Sequence, residues 1–198
     1  MPRELTDTQV DSFRTALCRV AVDLFVERGY EAVTIREITR RMGCSAMTPY
    51  RYFANKAEIF DVVRGECFAR FGGWIRAEVE TFDESTAPLD RLRGLGRCYV
   101  RFALAEPRAY RVMFEVERVN PPQTVDERDL DSWYPLLEAT RAAVDAGDIA
   151  GDPDVLAHLY WAGLHGIVAL HHAGRLQLGK SIDDLVEPAL DLFYGRRR

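Results

Sequence analysis

Between Ile35 and Phe53 the chain gathers side chains able to grip a polyanion. Thr48, Tyr50, Arg51 and Tyr52 carry donors suited to phosphate oxygens and base edges, and Thr34 and Ser45 stand where helices begin, beside backbone N–H groups that attract phosphate. The histidines form a second set. His158, His165 and His172 recur every seven residues, and His171 adjoins the last. Metal ligation is the chemistry they suggest, yet seven residues of helix separate ligands by about 10 Å, so one ion would need ligands from elsewhere. No acid or cysteine is conspicuously placed to supply them, and packing or interface roles are expected. Cys18, Cys44, Cys67 and Cys98 stand far apart, without a C-x-x-C, and read as free buried thiols. The sequence holds no G-x-S-x-G, Walker loop, dinucleotide fingerprint or H-E-x-x-H, so no enzyme is predicted and no cofactor is implied.

The elements that must position these groups read as helical throughout. Val10, Phe13, Leu17, Val20 and Leu24 step by three and four, the period of one helix face. Thr6-Asp-Thr-Gln9 ahead of them reads as a capping box, and Gly29 as the stop. A second box, Thr34-Ile-Arg-Glu37, opens a short helix with Ile35, Ile38 and Met42 inward, and Gly43 can take the left-handed conformation that turns the chain. Ser45 caps another short helix ending near Phe53, and Asn55 with Glu58 starts a long one to about Phe82. Further helices are expected from Pro88 to Ala105, Pro107 to Glu115, Asp126 to Ala146 with a kink at Pro135, Pro153 to Gly174, and around Ile182 to Phe193. Val119-Asn-Pro-Pro-Gln-Thr is the best loop.

Composition sets outer bounds. The 198 residues are 47% hydrophobic and 29% charged, enough apolar material for a real core. The longest stretch free of Asp, Glu, Lys and Arg, Val155 to Gly174, is 20 residues, but its four histidines make it too polar to read as a bilayer span. Acids near the start leave no signal peptide, so a cytoplasmic soluble protein is expected. Residues 1–56 carry net charge +2 and residues 57–198 carry −7, which places any polyanion at the N-terminal end. The expected domains are 1–56 and 57–198.

Ile35 to Phe53, a short helix, a glycine turn and a second short helix, is the layout of a helix-turn-helix, whose second helix enters the major groove while the first braces it. The run Thr34-Ile-Arg-Glu-Ile, followed by Gly43-Cys-Ser-Ala-Met-Thr-Pro-Tyr-Arg-Tyr-Phe-Ala-Asn-Lys-Ala-Glu-Ile, resembles the DNA-binding domain of the TetR family of transcriptional regulators. The resemblance covers roughly residues 8–60. It implies that Thr34, Tyr50 and Lys56 hold phosphates and that Ser45, Ala46, Met47, Thr48 and Arg51 face bases. By side-chain chemistry, Arg51 suits a guanine edge and Met47 a thymine methyl. Arg36 and Tyr52 complete the candidate set, although Tyr52 and Phe53 suit packing against the long helix better. Met47 replaces the glycine of many members, and Pro49 an aliphatic residue, which can shift where the second helix begins.

In the acidic remainder, Trp161-Ala-Gly-Leu-His-Gly-Ile-Val-Ala-Leu resembles the Trp…His-Gly helix of one type of TetR-family C-terminal domain, a family in which the last two long helices pair with their symmetry mates. Ala162, Gly166, Ala169 and Ala173 form a stripe of small side chains that allows close approach; His158, Leu185, Ala189 and Phe193 complete the expected dimer interface. Most of the many aromatics must be core. The resemblance implies that some line an apolar effector pocket, for which Trp74, Phe102, Tyr110, Met113, Phe114, Trp133, Trp161 and His165 are the candidates. Gly72-Gly73 inside the long helix is read as a packing feature rather than a bend. The sequence therefore predicts an all-α protein of about nine helices, with an N-terminal three-helix helix-turn-helix domain and a C-terminal ligand-binding and dimerisation domain. It is expected to be a homodimer that binds a palindromic operator in double-stranded DNA as a repressor, is released by an unknown small-molecule effector, and makes no membrane contact. The alternatives are a helical protein-binding adaptor and a metal-responsive regulator using the histidines.

Overall fold

The computed structural model describes the backbone of residues 7–117 and 127–194, and the side chains of 12–117 and 130–193. Among the described residues, eight α-helices and one 3-10 turn make up the regular structure: α1 (Asp7–Ala32), α2 (Ile35–Met42), the 3-10 turn (Pro49–Arg51), α3 (Lys56–Val79), α4 (Pro88–Ala105), α5 (Pro107–Phe114), α6 (Glu127–Asp145), α7 (Pro153–His172) and α8 (Ile182–Tyr194). Among the described residues there is no strand. No helix is long and apolar enough to cross a membrane, again among the described residues. The Thr6 end of the first capping box, the side chain of Val10 and the Val119 loop lie outside the described residues. α6 runs through Pro135 as a single element, and α8 likewise through Pro188.

The chain forms two compact units. The first holds α1, α2, the 3-10 turn, α3 as far as Phe68, and α5 from Arg108; the second holds α3 from Ala69, then α4, α6, α7 and α8.

In the first unit, Leu17, Ala21, Leu24 and Phe25 of α1 are buried with Ile35 and Ile38 of α2 and Ile59, Phe60 and Val63 of α3. The buried face of α1 is thus centred one step round from the predicted one, with Phe13 and Val20 at its half-buried edge. At Gly29 (φ 77°, ψ 163°) the helical path breaks before a final turn to Ala32; a side chain is disfavoured at that φ. The break brings Tyr30 onto Phe25 and Phe60, with ring centroids 5.8 and 5.1 Å away. α5 closes the unit: Phe114 meets Phe68 edge-on at 5.6 Å, and Arg108 pairs with Asp23 of α1 at 2.9 Å.

In the second unit, Leu92, Leu95, Cys98, Tyr99 and Phe102 of α4 are buried with Phe71 and Ile75 of α3 and with Leu164 and Val168 of α7, and the Phe71 ring lies 5.8 Å from Tyr99 and 4.8 Å from Phe102. α3 passes through Gly72-Gly73 as one helix; Gly72 is buried, and a Cβ there would lie 3.9 Å from Asp131 Cβ of α6. α8 is tied to α4 by Arg93–Asp191 at 2.8 Å and by a two-pronged Arg97–Glu187 pair at 2.6 and 2.8 Å. It also lays Phe193 across Gly163 of α7, where a Cβ would collide with the ring.

Candidate nucleic-acid interface

The brace is built from local chemistry. Thr34 is extended (φ −119°, ψ 152°); its Oγ1 accepts from Glu37 N–H at 3.2 Å, and the Glu37 carboxylate accepts from Thr34 N–H at 3.2 Å. This reciprocal box satisfies two donors that a helix start otherwise leaves open. Gly43 ends α2 in the left-handed conformation (φ 68°, ψ 27°), its N–H donating to the Arg40 and Thr39 carbonyls. Ile35, Ile38 and Thr39 are the buried face, while Met42 is half-buried. Thr39 is the inward residue that the apolar pattern missed, because its hydroxyl donates to the Arg36 carbonyl at 3.0 Å and leaves a methyl for the core.

The second helix of the motif differs from expectation. Residues 45–48 form a turn, closed by Thr48 N–H donating to Ser45 C=O at 3.0 Å, and only Pro49–Arg51 is helical, as a 3-10 turn. The cause is Pro49, whose missing N–H cannot donate to the Ser45 carbonyl, so the α-helical bond at that step is absent. Tyr52 and Phe53 N–H both donate to Pro49 C=O at 2.9 Å and carry the chain into α3. There Asn55 Oδ1 accepts from Glu58 N–H at 2.9 Å, and the Glu58 carboxylate accepts from Ala54 N–H.

Pro49 and Phe53 are the buried underside of this segment. Its outer side presents Ser45, Ala46, Met47, Tyr50 and Arg51, all exposed, with Thr48 half-buried; Thr34 and Arg36 are exposed at the start of α2. Met47 is 69% and Tyr50 52% exposed, high values for side chains of this size. Two candidates sit elsewhere. Tyr52 sets its ring at a tilt against Phe13 of α1, 4.9 Å between centroids, and its hydroxyl is buried with no hydrogen-bond partner among the described residues, so it packs rather than presents. Lys56 Nζ donates to the carbonyls of Tyr30 (2.8 Å) and Glu31 (3.4 Å) and lies 4.1 Å over the Tyr30 ring. That ammonium satisfies carbonyls at the end of α1 instead of standing free for a phosphate.

The surrounding charges divide in the same way. Arg41 grips Glu27 with two nitrogens at 2.8 and 3.2 Å, a contact that holds the Glu27 carboxyl below its usual range and raises the Arg41 guanidinium. Arg28 and Arg40 share Glu37. Arg36 and Arg51 form no ion pair among the described residues. Both guanidiniums are thus unpaired among the described residues, Arg51 at the end of the exposed 3-10 turn and Arg36 in the first turn of α2.

The pocket candidates fall into two groups. Tyr110 and Met113 are buried in the first unit, with Phe114 half-buried beside Tyr110 at 5.1 Å. In the second unit Trp74 meets Phe102 at 5.8 Å, Trp133 meets Trp161 at 6.2 Å, and His165 Nδ1 lies 3.0 Å from the Tyr99 hydroxyl. His158 directs Nδ1 to the Asp154 carbonyl at 2.7 Å. Among the described residues no three His, Cys, Asp or Glu side chains are grouped to hold a metal ion.

The interface candidates also separate. Along α7, Ala162 and Ala173 are exposed and Gly166 and Ala169 half-buried; a Cβ on Gly166 would meet nothing within 4 Å. His158 is exposed and Leu185 half-buried. Ala189 is instead buried within the chain, and Phe193 lies on Gly163, so both serve α8 packing. Sequence reasoning missed Val155, Leu159 and Leu170, exposed apolar residues on α7 whose helical spacing with Ala162, Gly166 and Ala173 was the available signal; Leu192 of α8 is exposed as well.

A capped brace, a left-handed glycine turn and an exposed polar segment, joined to an all-helical second unit, define a helix-turn-helix protein. Comparison with known proteins agrees. Residues 17–63 match the family described as bacterial regulatory proteins, tetR family, and residues 92–193 match the tetracyclin repressor-like C-terminal domain. The chain belongs to the TetR family. It is 39% identical over 88 residues to the HTH-type transcriptional repressor KstR2 of Mycobacterium tuberculosis, covering 44% of this chain and 42% of that one. It is 29% identical over 136 residues to the HTH-type transcriptional activator FasR of Mycolicibacterium smegmatis, covering 69% and 57%. The matched stretches therefore span about half the length of these relatives. In fold it resembles the regulator FadR of Bacillus subtilis, solved with stearoyl-CoA, with a TM-score of 0.75, 17% identity, and coverage of 93% of this chain and 99% of that one.

Proposed function

We propose that the chain is a homodimeric, sequence-specific DNA-binding regulator that represses transcription and is released from a palindromic operator by a small molecule. The observation that carries the reading is the outward display of Met47, Tyr50 and Arg51 over a buried Pro49 and Phe53, with Arg36 exposed in the first turn of α2. Residues 1–56 read DNA, and residues 57–198 dimerise and bind the effector. Thr34 and Tyr50 hold phosphates, Arg36 adds a phosphate contact, and Ser45, Ala46, Met47, Thr48 and Arg51 face bases. The exposed apolar face of α7, running from Val155 through Leu159, Ala162 and Gly166 to Leu170, pairs with its copy across a two-fold axis. Repression rather than activation follows the KstR2 likeness, the stronger in identity; FasR represents the opposite sign. The effector occupies the aromatic part of the second unit, and long-chain acyl thioesters are the first probes to try, following the FadR likeness.

Selection of duplexes from a random library by the full chain, then a salt titration of the selected site, tests the reading. The expected result is an inverted repeat with half-sites about 34–36 Å apart and an affinity that falls steeply with salt. Absence of binding at low salt, or binding indifferent to salt, would overturn it.

A further inference from the structure

Resting on the DNA-binding reading above, we infer that Met47 selects thymine at one position of each half-site by packing its thioether side chain on the C5 methyl group. Among the described residues of the first unit, the large apolar side chains left exposed are Met47 and Tyr50, three residues apart in one turn. Tyr50 has a hydroxyl to place in water or on a phosphate; Met47 offers only a weak sulfur acceptor and no donor. Its apolar surface stays in water in the free protein, and contact with another apolar group is the favourable way to remove it.

The setting is built for reach. Met47 N–H donates to Ser45 Oγ at 3.4 Å, which ties the turn to its own side chain. Ala46 beside it is too small to screen it, and Pro49 is locked in the interior below. In the major groove the base edges present donors, acceptors and a single apolar group, the thymine methyl. A thioether against an adenine, guanine or cytosine edge would strip water from donors and acceptors without replacing those bonds, whereas against the methyl it loses nothing. The unbranched methionine chain can also adjust to the register that the shortened second helix imposes.

Replacing thymine by uracil removes only that methyl, so it isolates the contact. Duplexes selected by the full chain are remade with deoxyuridine at each thymine in turn, and the Kd is measured for wild type, Met47→Ala and Met47→Leu. Wild type is expected to lose about fourfold at one thymine per half-site, and about fifteenfold when both half-sites carry uracil. Met47→Ala binds the thymine duplex as weakly as wild type binds the uracil duplex and no longer distinguishes the two; Met47→Leu still does. The inference is overturned if wild type ignores uracil everywhere, if Met47→Ala keeps the discrimination, or if the selected half-site lacks thymine. Failure to select any duplex is a different outcome and removes the DNA-binding reading itself. Met47 is exposed, so both variants are expected to match wild type in thermal unfolding.

Discussion

Arg36 and Arg51 are both exposed and outside every ion pair among the described residues, yet the proposed function gives them different work. Arg36 lies two residues past the Thr34 cap in the first turn of α2; Arg51 ends the 3-10 turn that also holds Tyr50. Changing each to Gln removes the charge and keeps an exposed polar side chain. Each phosphate neutralised contributes about −0.9 to the slope of log affinity against log salt. A two-headed dimer lacking Arg36 should therefore lose about 1.8 from that slope, weakening on all sequences alike. Arg51→Gln should instead cost about 1–3 kcal/mol per head on the preferred site and relax the choice of base there. Fluorescence anisotropy with a selected and a scrambled duplex, from about 50 to 200 mM salt, separates the two effects. The assignment is refuted if Arg36→Gln leaves the slope unchanged, or if Arg51→Gln weakens both duplexes equally.

Three further outcomes follow from the geometry. Gly163→Ala drives a methyl into the Phe193 ring and should destabilise by about 1–3 kcal/mol in urea unfolding, whereas Gly166→Arg, with open space around it, should keep the fold but elute as a monomer in size-exclusion chromatography. Thr34→Ala removes the acceptor of the capping box and should lower stability by about 1 kcal/mol in the same urea assay, with Thr34→Ser restoring most of it. Burial pushes the Cys18 thiol from 9.0 up to about 12, so above pH about 9 the unfolded chain releases a proton that the folded chain keeps. Stability should fall as pH rises from there, and Cys18→Ala should flatten the decline seen by thermal unfolding across that range.

Local chemistry was the legible part of this chain. The Thr34–Glu37 box, the left-handed Gly43 and the Asn55 cap each depend on residues three or four apart, and each stands where the pattern puts it. What pairing by spacing does not convey is contact between distant segments. Lys56, the first residue of α3, reaches back across the whole motif to the carbonyls of Tyr30 and Glu31, and Phe193 lies on Gly163 of its own chain although its position on the last helix suggested a partner. The second helix of the motif depends on more than spacing. Spacing permits it, but one absent N–H at Pro49 shortens it to a single 3-10 turn. In the candidate site, exposure singled out Met47, Tyr50 and Arg51 and set aside Tyr52, which differs from Tyr50 by only two positions but turns its ring onto Phe13.

The return of α5 to the first unit, through Phe114 on Phe68 and Arg108 on Asp23, bears on how this protein can be taken apart. A chimera cut once after Phe68 would carry the exposed turn of residues 45–51 intact but strip the cover from Phe68 and leave Asp23 without its guanidinium. Grafting this specificity onto another body thus calls for two splice points, with residues 108–114 carried along as a patch. A swap made at a single junction should yield a sticky, poorly expressing hybrid whose defect lies in solubility and not in base recognition.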